Sequence, residues 1–282
     1  MSAIYLVTDS TADLTKEEIS TYAIHVVPLT ISIDDESFLD GVTMTKQEFM
    51  EKMQHSSQLP KTAQPSIGRF AEVYEALTKD GSSVISIHLM NSISGTVNAA
   101  RQAADLVVGD VTVVDSSFTS RPQAMIVKAA AVAIQNGATK DEVLDVIKQA
   151  MQQSKLYLHI VELENLIKGG RISKAMGAFS NLLNIKLFLE VRDGAIQIVQ
   201  KGRGLKSLQK KYDEIIHEMQ QIPQGIKEIG ITHAGLSEFN QAIITQLKNA
   251  FPNVPITIEI TSPIIMTHTG LGAMALSYIT NN

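Results

Sequence analysis

The 282-residue chain contains no cysteine. This absence excludes disulfides, thiolate metal sites and cysteine nucleophiles, and it is typical of proteins from a reducing compartment. No uncharged apolar run approaches the ~20 residues of a membrane-spanning helix, and Lys128 interrupts the most apolar helical stretch. The first nine residues lack a basic region and a long apolar run, so they predict a strand rather than a signal peptide. We therefore expect a cytoplasmic protein without stable membrane insertion.

Several motifs of nucleotide-binding and hydrolytic proteins are also missing. The chain has no G-x-G-x-x-G after its first strand, no G-x-x-x-x-G-K-[ST] phosphate loop and no G-x-S-x-G nucleophile turn. Its seven histidines never occur as H-x-H or H-E-x-x-H, so neither a metal nor another cofactor is expected. His88 and His159 fall inside predicted strands and are interpreted as core residues, whereas His217 is assigned to the exposed face of a helix.

Charge is unevenly distributed along the chain. Residues 1–154 carry 11 basic and 19 acidic residues, whereas residues 155–282 carry 13 and 10. A general nucleic-acid-binding protein would show a basic excess with interleaved aromatic residues, so nucleic acid is not expected as a partner. Residues 201–211 hold five basic residues and no acidic one. This run predicts either a local basic face or an ordinary solvated helix surface.

Short apolar runs alternate with segments of helical periodicity, which predicts an α/β fold. In the first half, strands are predicted over 4–8, 24–33, 84–90 and 111–114, and helices near 16–22, 46–54, 67–79, 96–107 and 121–136. Three helix starts carry a threonine followed three residues later by glutamate, at Thr15, Thr45 and Thr139. This spacing predicts capping boxes, so these threonines are interpreted as structural.

The second half predicts a different arrangement. A strand over 155–161 precedes two short helical pieces around a Gly169-Gly170 break, and Asp193-Gly194 predicts a tight hairpin between strands over 186–191 and 195–200. Further helices are predicted over 205–221, 237–250 and 271–280, and strands over 227–233 and 255–260. We expect a mainly parallel N-terminal α/β domain over residues 1–154. The smaller C-terminal domain, residues 155–282, is expected to be an α/β sandwich with a largely antiparallel sheet and helices on one face.

Four loops that follow or connect predicted strands are rich in hydroxyls, glycines and amide donors: residues 8–13, 61–66, 91–96 and 267–272. In open α/β sheets, ligands bind beyond the carboxyl ends of strands, where helix N-termini direct N–H groups at the site. A hydroxyl followed by glycine offers an oxyanion both an O–H and a backbone N–H, and a nearby histidine adds a charge-assisted bond. The pattern favours a small acidic ligand, although each loop alone is also typical of ordinary caps and turns.

Six short motifs occur in the order seen in the DegV family: TDSTADL at 8–14, KTAQPS at 61–66, SGT at 94–96, VDS at 114–116, KGGRI at 168–172 and HTG at 268–270. The chain resembles this family over nearly its whole length, and the ordered set is far more specific than any one motif. The resemblance implies two α/β domains and a buried long-chain fatty acid, roughly C14–C18. It further implies a carrier without catalytic residues. A separate fatty acid kinase, a dihydroxyacetone-kinase-like ATP-binding protein, would form the acyl phosphate for phospholipid metabolism.

The resemblance also implies a set of head-group residues. Carried over position by position, it makes Thr62 and Ser94 hydroxyl ligands of the fatty acid carboxylate, with the Gly95 N–H beside them. His268 would donate a further hydrogen bond from the C-terminal domain. These four residues, called the head-group residues below, lie in three of the four hydroxyl-rich loops.

Two basic positions and three departures complete the resemblance. Arg171 and Arg203 match positions associated with kinase docking or with the emerging phosphate. The chain differs from the usual family pattern at residues 118–123, at Leu187 and at Leu271. None of these departures touches the head-group residues, so they bear on the shape of the acyl tunnel and on chain preference.

Two other functions stay open. A stand-alone acyl hydrolase or transferase would pair His268 with Ser94 or Thr62 and use Asp9 or Asp115 as the orienting acid. A ligand-sensing lipid-binding regulator without a kinase would use the same pocket. Turnover of an acyl ester by the purified protein would favour the first, and lipid-dependent turnover with a kinase would argue against the second.

Overall fold

Strands and helices alternate along most of the chain, in a computed structural model that describes residues 3–171 and 185–281. The first half contains β1 (Ile4–Asp9), a 3-10 turn (Ser10–Ala12), α1 (Lys16–Thr21), β2 (His25–Val27), β3 (Thr30–Ile33), β4 (Glu36–Leu39), α2 (Lys46–His55), β5 (Lys61–Ala63), α3 (Ile67–Thr78), β6 (Ser83–His88), α4 (Thr96–Leu106), β7 (Asp110–Asp115), α5 (Ser120–Gln135) and α6 (Lys140–Gln153). The second half contains β8 (Ser154–Ile160), α7 (Glu164–Lys168), β9 (Ile185–Arg192), β10 (Ala195–Arg203), α8 (Leu205–Gln220), β11 (Ile226–His233), α9 (Glu238–Ala250), β12 (Ile256–Ile260), α10 (Pro263–Thr269) and β13 (Met274–Thr280).

The described strands form three sheets. A parallel sheet has the order β2-β1-β6-β7, and a small antiparallel sheet has the order β4-β3-β5. The largest sheet, β10-β9-β8-β13-β11-β12, is antiparallel except for the parallel pair β11–β12. The predicted fold class, an α/β protein with a mainly parallel and a largely antiparallel sheet, is confirmed.

Local signals in the sequence set several element boundaries. Thr15, Thr45 and Thr139 each form a capping box with the glutamate three residues on, as predicted. Asp193 and Gly194 both have positive φ, at 52° and 68°, and they connect β9 to β10 in an antiparallel hairpin. Positive φ at both turn positions matches the twist of the flanking strands, so the predicted hairpin is also confirmed.

The single strand predicted over 24–33 is wrong. The segment forms two strands in different sheets: β2 pairs with β1, and β3 pairs with β4 and β5. Pro28 lies at the break, and proline lacks the N–H that a continuous strand would donate. The three-stranded sheet, including β5 with Thr62, was not predicted.

The helix predicted over 271–280 is also wrong. That segment is β13, a central strand between β8 and β11, and the helix lies earlier, as α10. Both faces of β13 are covered, so its sequence lacks the alternation of a half-buried strand. The overlooked signals were Ser262 and Pro263 at a helix start and Gly270 after its end.

The two faces of the six-stranded sheet pack against different parts of the molecule. Tyr157 and Phe188 lie in one core with Tyr212 of α8 and residues of α9, whereas Leu156 lies in another core with Met125 of α5 and its neighbours. His88 and His159 are buried and His217 is exposed, as predicted. Among the residues that the structure describes, none of the helices combines the length and the hydropathy of a membrane-spanning segment.

Candidate ligand-binding cavity

A cavity of about 580 Å³ lies against the face of the six-stranded sheet that is turned away from α8 and α9. Alternate residues of two neighbouring strands line it, Leu156 and Leu158 on β8 and Leu189 and Val191 on β9. Successive side chains of a strand point to opposite faces, so Tyr157 between them packs with α8 and α9 instead. The first half of the chain supplies further apolar wall, including Leu29, Leu89 and Met90. The volume is within the usual range for small-molecule sites, ~300–1,000 Å³.

All four head-group residues line this cavity. Thr62 Oγ1 lies 3.0 Å from His268 Nε2, although 206 positions separate the two residues. Thr62 is held on β5 by its register with Ile31 of β3, and His268 lies in the last turn of α10. The small sheet and α10 therefore bring a hydroxyl from the first half and an imidazole from the second half to one polar rim.

Buried hydrogen bonds to the first half hold the start of α10. The Ser262 N–H donates to Asp13 Oδ1 at 2.7 Å, and Ser262 Oγ donates to Asp40 Oδ2 at 2.7 Å. Burial raises the pKa of Asp40 to about 6, and the hydrogen bond from Ser262 opposes that rise. Because both acids belong to the first half, this anchor sets where His268 meets Thr62.

His268 is neutral at pH 7 in this cavity. Burial, with a smaller contribution from the positive charge of Arg171, lowers its pKa to about 4. Its second ring nitrogen, Nδ1, is buried and has no hydrogen-bond partner among the described residues. A Cβ added to Gly169 would lie 2.5 Å from this nitrogen and 2.7 Å from the Asn165 carbonyl oxygen, so only glycine fits there. An anion placed beside this ring would favour its protonation.

Ser94 and Gly95 bring the N-terminus of α4 to the cavity. Ser94 Oγ lies 2.9 Å from Thr96 Oγ1 and accepts a hydrogen bond from the Thr96 N–H at 3.3 Å. Gly95 caps α4 without a side-chain hydrogen bond and itself lines the cavity, so the N-terminus of α4, the positive end of the helix dipole, lies at the rim. The Gln64 carboxamide lies over Gly95, since a Cβ added there would collide with Gln64 Oε1.

The two arginines of interest lie at the same end of the large sheet. Arg171 is exposed, lines the cavity and donates a hydrogen bond to the Gly169 carbonyl. Arg203 is the exposed last residue of β10 and pairs with Ile185 of β9. Ile185 lies two residues from Leu187, which pairs with Ile160 at the end of β8. From Ile160 the chain leads through α7 to Arg171. In the part of the chain that the structure describes, Arg203 does not line the cavity.

The basic run at 201–211 divides into two parts. Lys210 and Lys211 approach Glu214 of the same helix at 3.9 and 3.1 Å, which agrees with a solvated helix surface for that end of the run. Arg203 and Lys206 are exposed beside Leu205, whose side chain is 45% exposed. The exposed basic surface therefore lies at the junction of β10 and α8.

A second hydroxyl–histidine pair lies in the core beneath the parallel sheet. Ser86 Oγ is 2.7 Å from His88 Nε2, and His88 Nδ1 is 3.0 Å from Asp9 Oδ2. Burial raises the pKa of Asp9, but the interaction with His88 and the other donors outweigh it, so the pKa lies below its ordinary value. The order of groups is that of a catalytic triad. All three side chains are nevertheless fully buried, and Tyr74 donates its hydroxyl to Ser86 at 2.7 Å.

The acids considered as orienters of His268 have other partners. Asp9 is bound to His88, and Asp115 accepts hydrogen bonds from the N–H groups of Asn91 and Ser117. Neither acid reaches His268, whose Nδ1 is without a hydrogen-bond partner in residues 3–171 and 185–281. The described residues thus do not assemble the hydrolase constellation that the sequence left open.

Three residues at the rim had no role in the sequence analysis. Gln64 covers Gly95, Gly169 makes room for His268, and the Asn165 side chain donates to the Thr267 carbonyl at 3.0 Å. Two of them fall within the KTAQPS and KGGRI motifs, which was the available signal. Residue 172 and the second predicted helical piece after the Gly169-Gly170 break lie outside the described residues.

The described residues, 3–171 and 185–281, contain no group of three or more His, Asp or Glu side chains that could hold a metal ion.

The α/β fold carries a cavity that is apolar along the strands and polar at one rim, a lining that fits an amphipathic small molecule. The family model described as "Uncharacterised protein, DegV family" matches residues 3–281. This chain belongs to the DegV family. A DegV domain-containing protein of Streptococcus pneumoniae serotype 4 is 39% identical to it over 276 residues, which are 98% of each chain.

Two solved structures extend this likeness to the whole fold. DegV from Bacillus subtilis, a fatty acid binding protein, matches with a TM-score of 0.90 and 28% identity over 100% of both chains. A DegV family protein from Thermus thermophilus, whose structure concerns fatty acid binding, matches with a TM-score of 0.86 and 28% identity over 99% of both chains. The family resemblance noted in the sequence is thereby confirmed.

Proposed function

We propose that this protein binds a long-chain fatty acid, roughly C14–C18, and presents its carboxyl group to a separate ATP-dependent kinase for acyl phosphate formation. The observation that carries the proposal is the cavity whose apolar strand residues lead to the rim where Thr62 Oγ1 and His268 Nε2 meet at 3.0 Å. In this proposal Thr62, Ser94 and His268 bind the carboxylate, with the Gly95 N–H beside them. The fatty-acid-binding relatives from B. subtilis and T. thermophilus support the same ligand class.

The apolar wall and the polar rim contribute differently to the free energy of binding. Burial of an aliphatic CH₂ contributes about 0.8 kcal/mol, so a chain of ~15 methylenes contributes roughly 12 kcal/mol before the association cost of ~4–15 kcal/mol. Each hydrogen bond to the charged carboxylate adds about 1.5–3 kcal/mol. The tail therefore supplies most of the affinity, and the rim determines which end of the ligand faces the partner.

Phosphoryl transfer is assigned to the partner in this proposal. The chain has no phosphate loop of the recognised kinds, and acyl phosphate formation requires ATP. Arg171 at the rim and Arg203 at the end of β10 are exposed cations near the same end of the large sheet, which suits contact with the kinase or with the new phosphate.

Two domains would contribute to the site in this proposal. The N-terminal domain, residues 1–154, would supply most of the rim, and the C-terminal domain, residues 155–282, would supply His268. The start of β8, the first strand of the large sheet, at Ser154 supports this boundary. A cytoplasmic location belongs to the same proposal.

The direct test is native mass spectrometry of the protein purified from a bacterial host, followed by organic extraction of the released material. We expect about one fatty acid per chain. The protein should also give an acyl phosphate when it is mixed with ATP and a purified fatty acid kinase. A mass that stays ligand-free after incubation with C14–C18 fatty acids would overturn the proposal. Fatty acid binding without any kinase-dependent product would instead favour a lipid-sensing regulator.

The partner surface can be tested separately by reversing the charge of Arg203. We expect Arg203→Glu to keep its fatty acid affinity and to lower kinase-dependent turnover about tenfold at limiting kinase, because an exposed cation contributes to association rather than to the cavity. Lys79→Glu, at the far exposed end of α3, is the matched charge reversal and should turn over like the parent protein. Parental turnover of Arg203→Glu would remove this residue from the docking surface.

A further inference from the structure

The end of the cavity adjoins a second, smaller groove. This surface groove has a volume of about 330 Å³ and lies between α6, the Ser117–Phe118 loop and the β9–β10 turn, with Phe118, Met151 and Gly194 among its lining residues. Val191 lines both the cavity and the groove, and it is the one residue shared by the two among those that the structure describes. Its side chain is only 3% exposed. Val191 thus stands as a partition between the two spaces.

The register of the sheet locates this partition. Leu156, Val191 and Ile196 are direct cross-strand neighbours on β8, β9 and β10, and all three line the cavity. Direct neighbours share a face of the sheet, so they form one row across it. Ser154 precedes Leu156 by two residues on β8 and therefore lies about 6.6 Å from it along the strand. Ser154 lines the groove and not the cavity. The row that contains Val191 is therefore the last one that the cavity reaches.

The head-group residues lie at the other end of the same strands. β8 runs from the Leu156 level to Ile160 and continues through α7 to Gly169, which touches His268. α10, which carries His268, directly precedes the start of β13, and that start pairs with the Ile160 end of β8. A chain bound with its carboxylate at His268 would therefore run along the sheet toward Val191.

Resting on the proposed function, we propose that Val191 is the end wall of the acyl cavity and sets the longest straight chain that the protein accepts. The groove beyond the wall is lined in part by Lys148, Lys155 and Arg192. On that side of the groove a terminal methyl group gains nothing, because charged groups hold their hydration, so the apolar space beyond the wall is the side lined by Phe118 and Met151. With Val191 in place, the additional methylenes of a longer acyl chain must fold back inside the cavity. When the wall is lowered, they enter the groove beside Phe118 and Met151.

The test is competition among straight-chain saturated fatty acids of 14, 16, 18, 20 and 22 carbons, supplied as an equimolar mixture and read by native mass spectrometry. Each methylene newly accommodated is worth about a fourfold gain in affinity. We therefore expect Val191→Ala to raise the C20:C16 occupancy ratio on the order of tenfold. Val191→Leu, which extends the wall with little change in polarity, should lower the C18:C14 ratio.

Val143→Ala is the matched control. Val143 is fully buried in the same core as Val191 but lines neither the cavity nor the groove, so this variant reports the effect of loosening the core alone. It should keep the parental chain-length profile. Parental profiles in both Val191 variants would overturn the end wall while leaving fatty acid binding intact. Parent protein that takes up none of the five acids would instead overturn the proposed function itself.

Discussion

Two hydroxyl–histidine pairs of similar length lie in very different surroundings. Thr62 Oγ1 and His268 Nε2 are 3.0 Å apart at the rim of the cavity, whereas Ser86 Oγ and His88 Nε2 are 2.7 Å apart in the core. Both ring nitrogens of His88 have partners, the second being bound to Asp9. His268 Nδ1 has none among the described residues. The pair with the more enzyme-like geometry is thus the one that no ligand can reach.

The difference separates a structural network from a binding site. Asp9 accepts hydrogen bonds from His88, Thr11, Gln123 and the Leu89 N–H. These bonds hold the ends of neighbouring strands together. At the rim, Ser94 Oγ has only Thr96 as a partner among the described residues, and Gly95 caps α4 without a side-chain hydrogen bond. A satisfied network stabilises the fold, and a partly satisfied one next to a cavity can bind.

The largest effect is expected from breaking the core network. Asp9→Ala should lower the free energy of unfolding by about 3–5 kcal/mol, because His88 and the other donors lose a buried charged partner. Chemical denaturation with circular dichroism measures this. Asp105→Ala, which truncates an exposed acid on α4, should change stability by less than about 0.5 kcal/mol. A loss of under 1 kcal/mol for Asp9→Ala would show that the network is not what holds these strand ends.

The same network has a defined pH dependence. The pKa of Asp9 is lowered in the folded protein, so its stabilisation is complete above the unfolded value of about 3.9 and is lost as pH falls through the folded pKa. The difference in stability between the parent protein and Asp9→Ala should therefore shrink as pH falls below about pH 4. A difference that stays constant to pH 2.5 would contradict the assignment.

A smaller effect, and one on binding rather than on stability, is expected at the rim. The double variant Thr62→Ala with Ser94→Ala should weaken fatty acid affinity on the order of 100-fold, because two hydrogen bonds to a charged group are lost. Its unfolding free energy should stay within about 1 kcal/mol of the parent. Ser86→Ala is the contrasting control: it should lose stability, since Tyr74 and His88 lose a buried partner, and keep its affinity. Parental affinity in the double variant would remove both hydroxyls from the site.

The smallest expected effect is a change in proton uptake. Burial and Arg171 lower the pKa of His268 to about 4, and a carboxylate bound beside the ring would raise it again. Fatty acid binding should therefore take up a fraction of a proton at pH 6, and affinity should rise as pH falls from 8 to 6. Titration calorimetry in two buffers of different ionisation enthalpy measures the uptake.

The proton uptake should vanish in His268→Gln and persist in the control variant His25→Gln. Burial also lowers the pKa of His25, but this residue does not line the cavity. Equal uptake in His268→Gln would exclude His268 as the proton acceptor.

Features governed by a few neighbouring residues were predictable from the sequence. The three capping boxes and the Asp193-Gly194 hairpin each depend on groups within about four positions of one another, and each is present in the structure. The alternation of strands and helices likewise predicted the fold class. Ordered motifs identified the family, and they named four residues that all line one cavity.

Features that depend on distant partners were not predictable in the same way. Met274, Ala275 and Leu276 favour a helix, but residues 274–280 pair with β8 and β11 on either side, and the hydrogen bonds and burial of a central strand outweigh that propensity. Likewise, the sequence left Asp9 open as an orienting acid, and only the fold shows that it is bound to His88 in the core.

The chain order of hydroxyls, glycines and basic residues was therefore enough to state a class of fold, a family and a set of head-group residues. Only the folded arrangement decides that Thr62 meets His268, that Gly169 makes room for the ring, and that Val191 lies between the cavity and the groove. The physical reason is that short-range hydrogen bonding and backbone preference are encoded locally. Cavity shape and the burial of a polar group arise from contacts between segments up to some 200 residues apart, as in the Thr62–His268 pair.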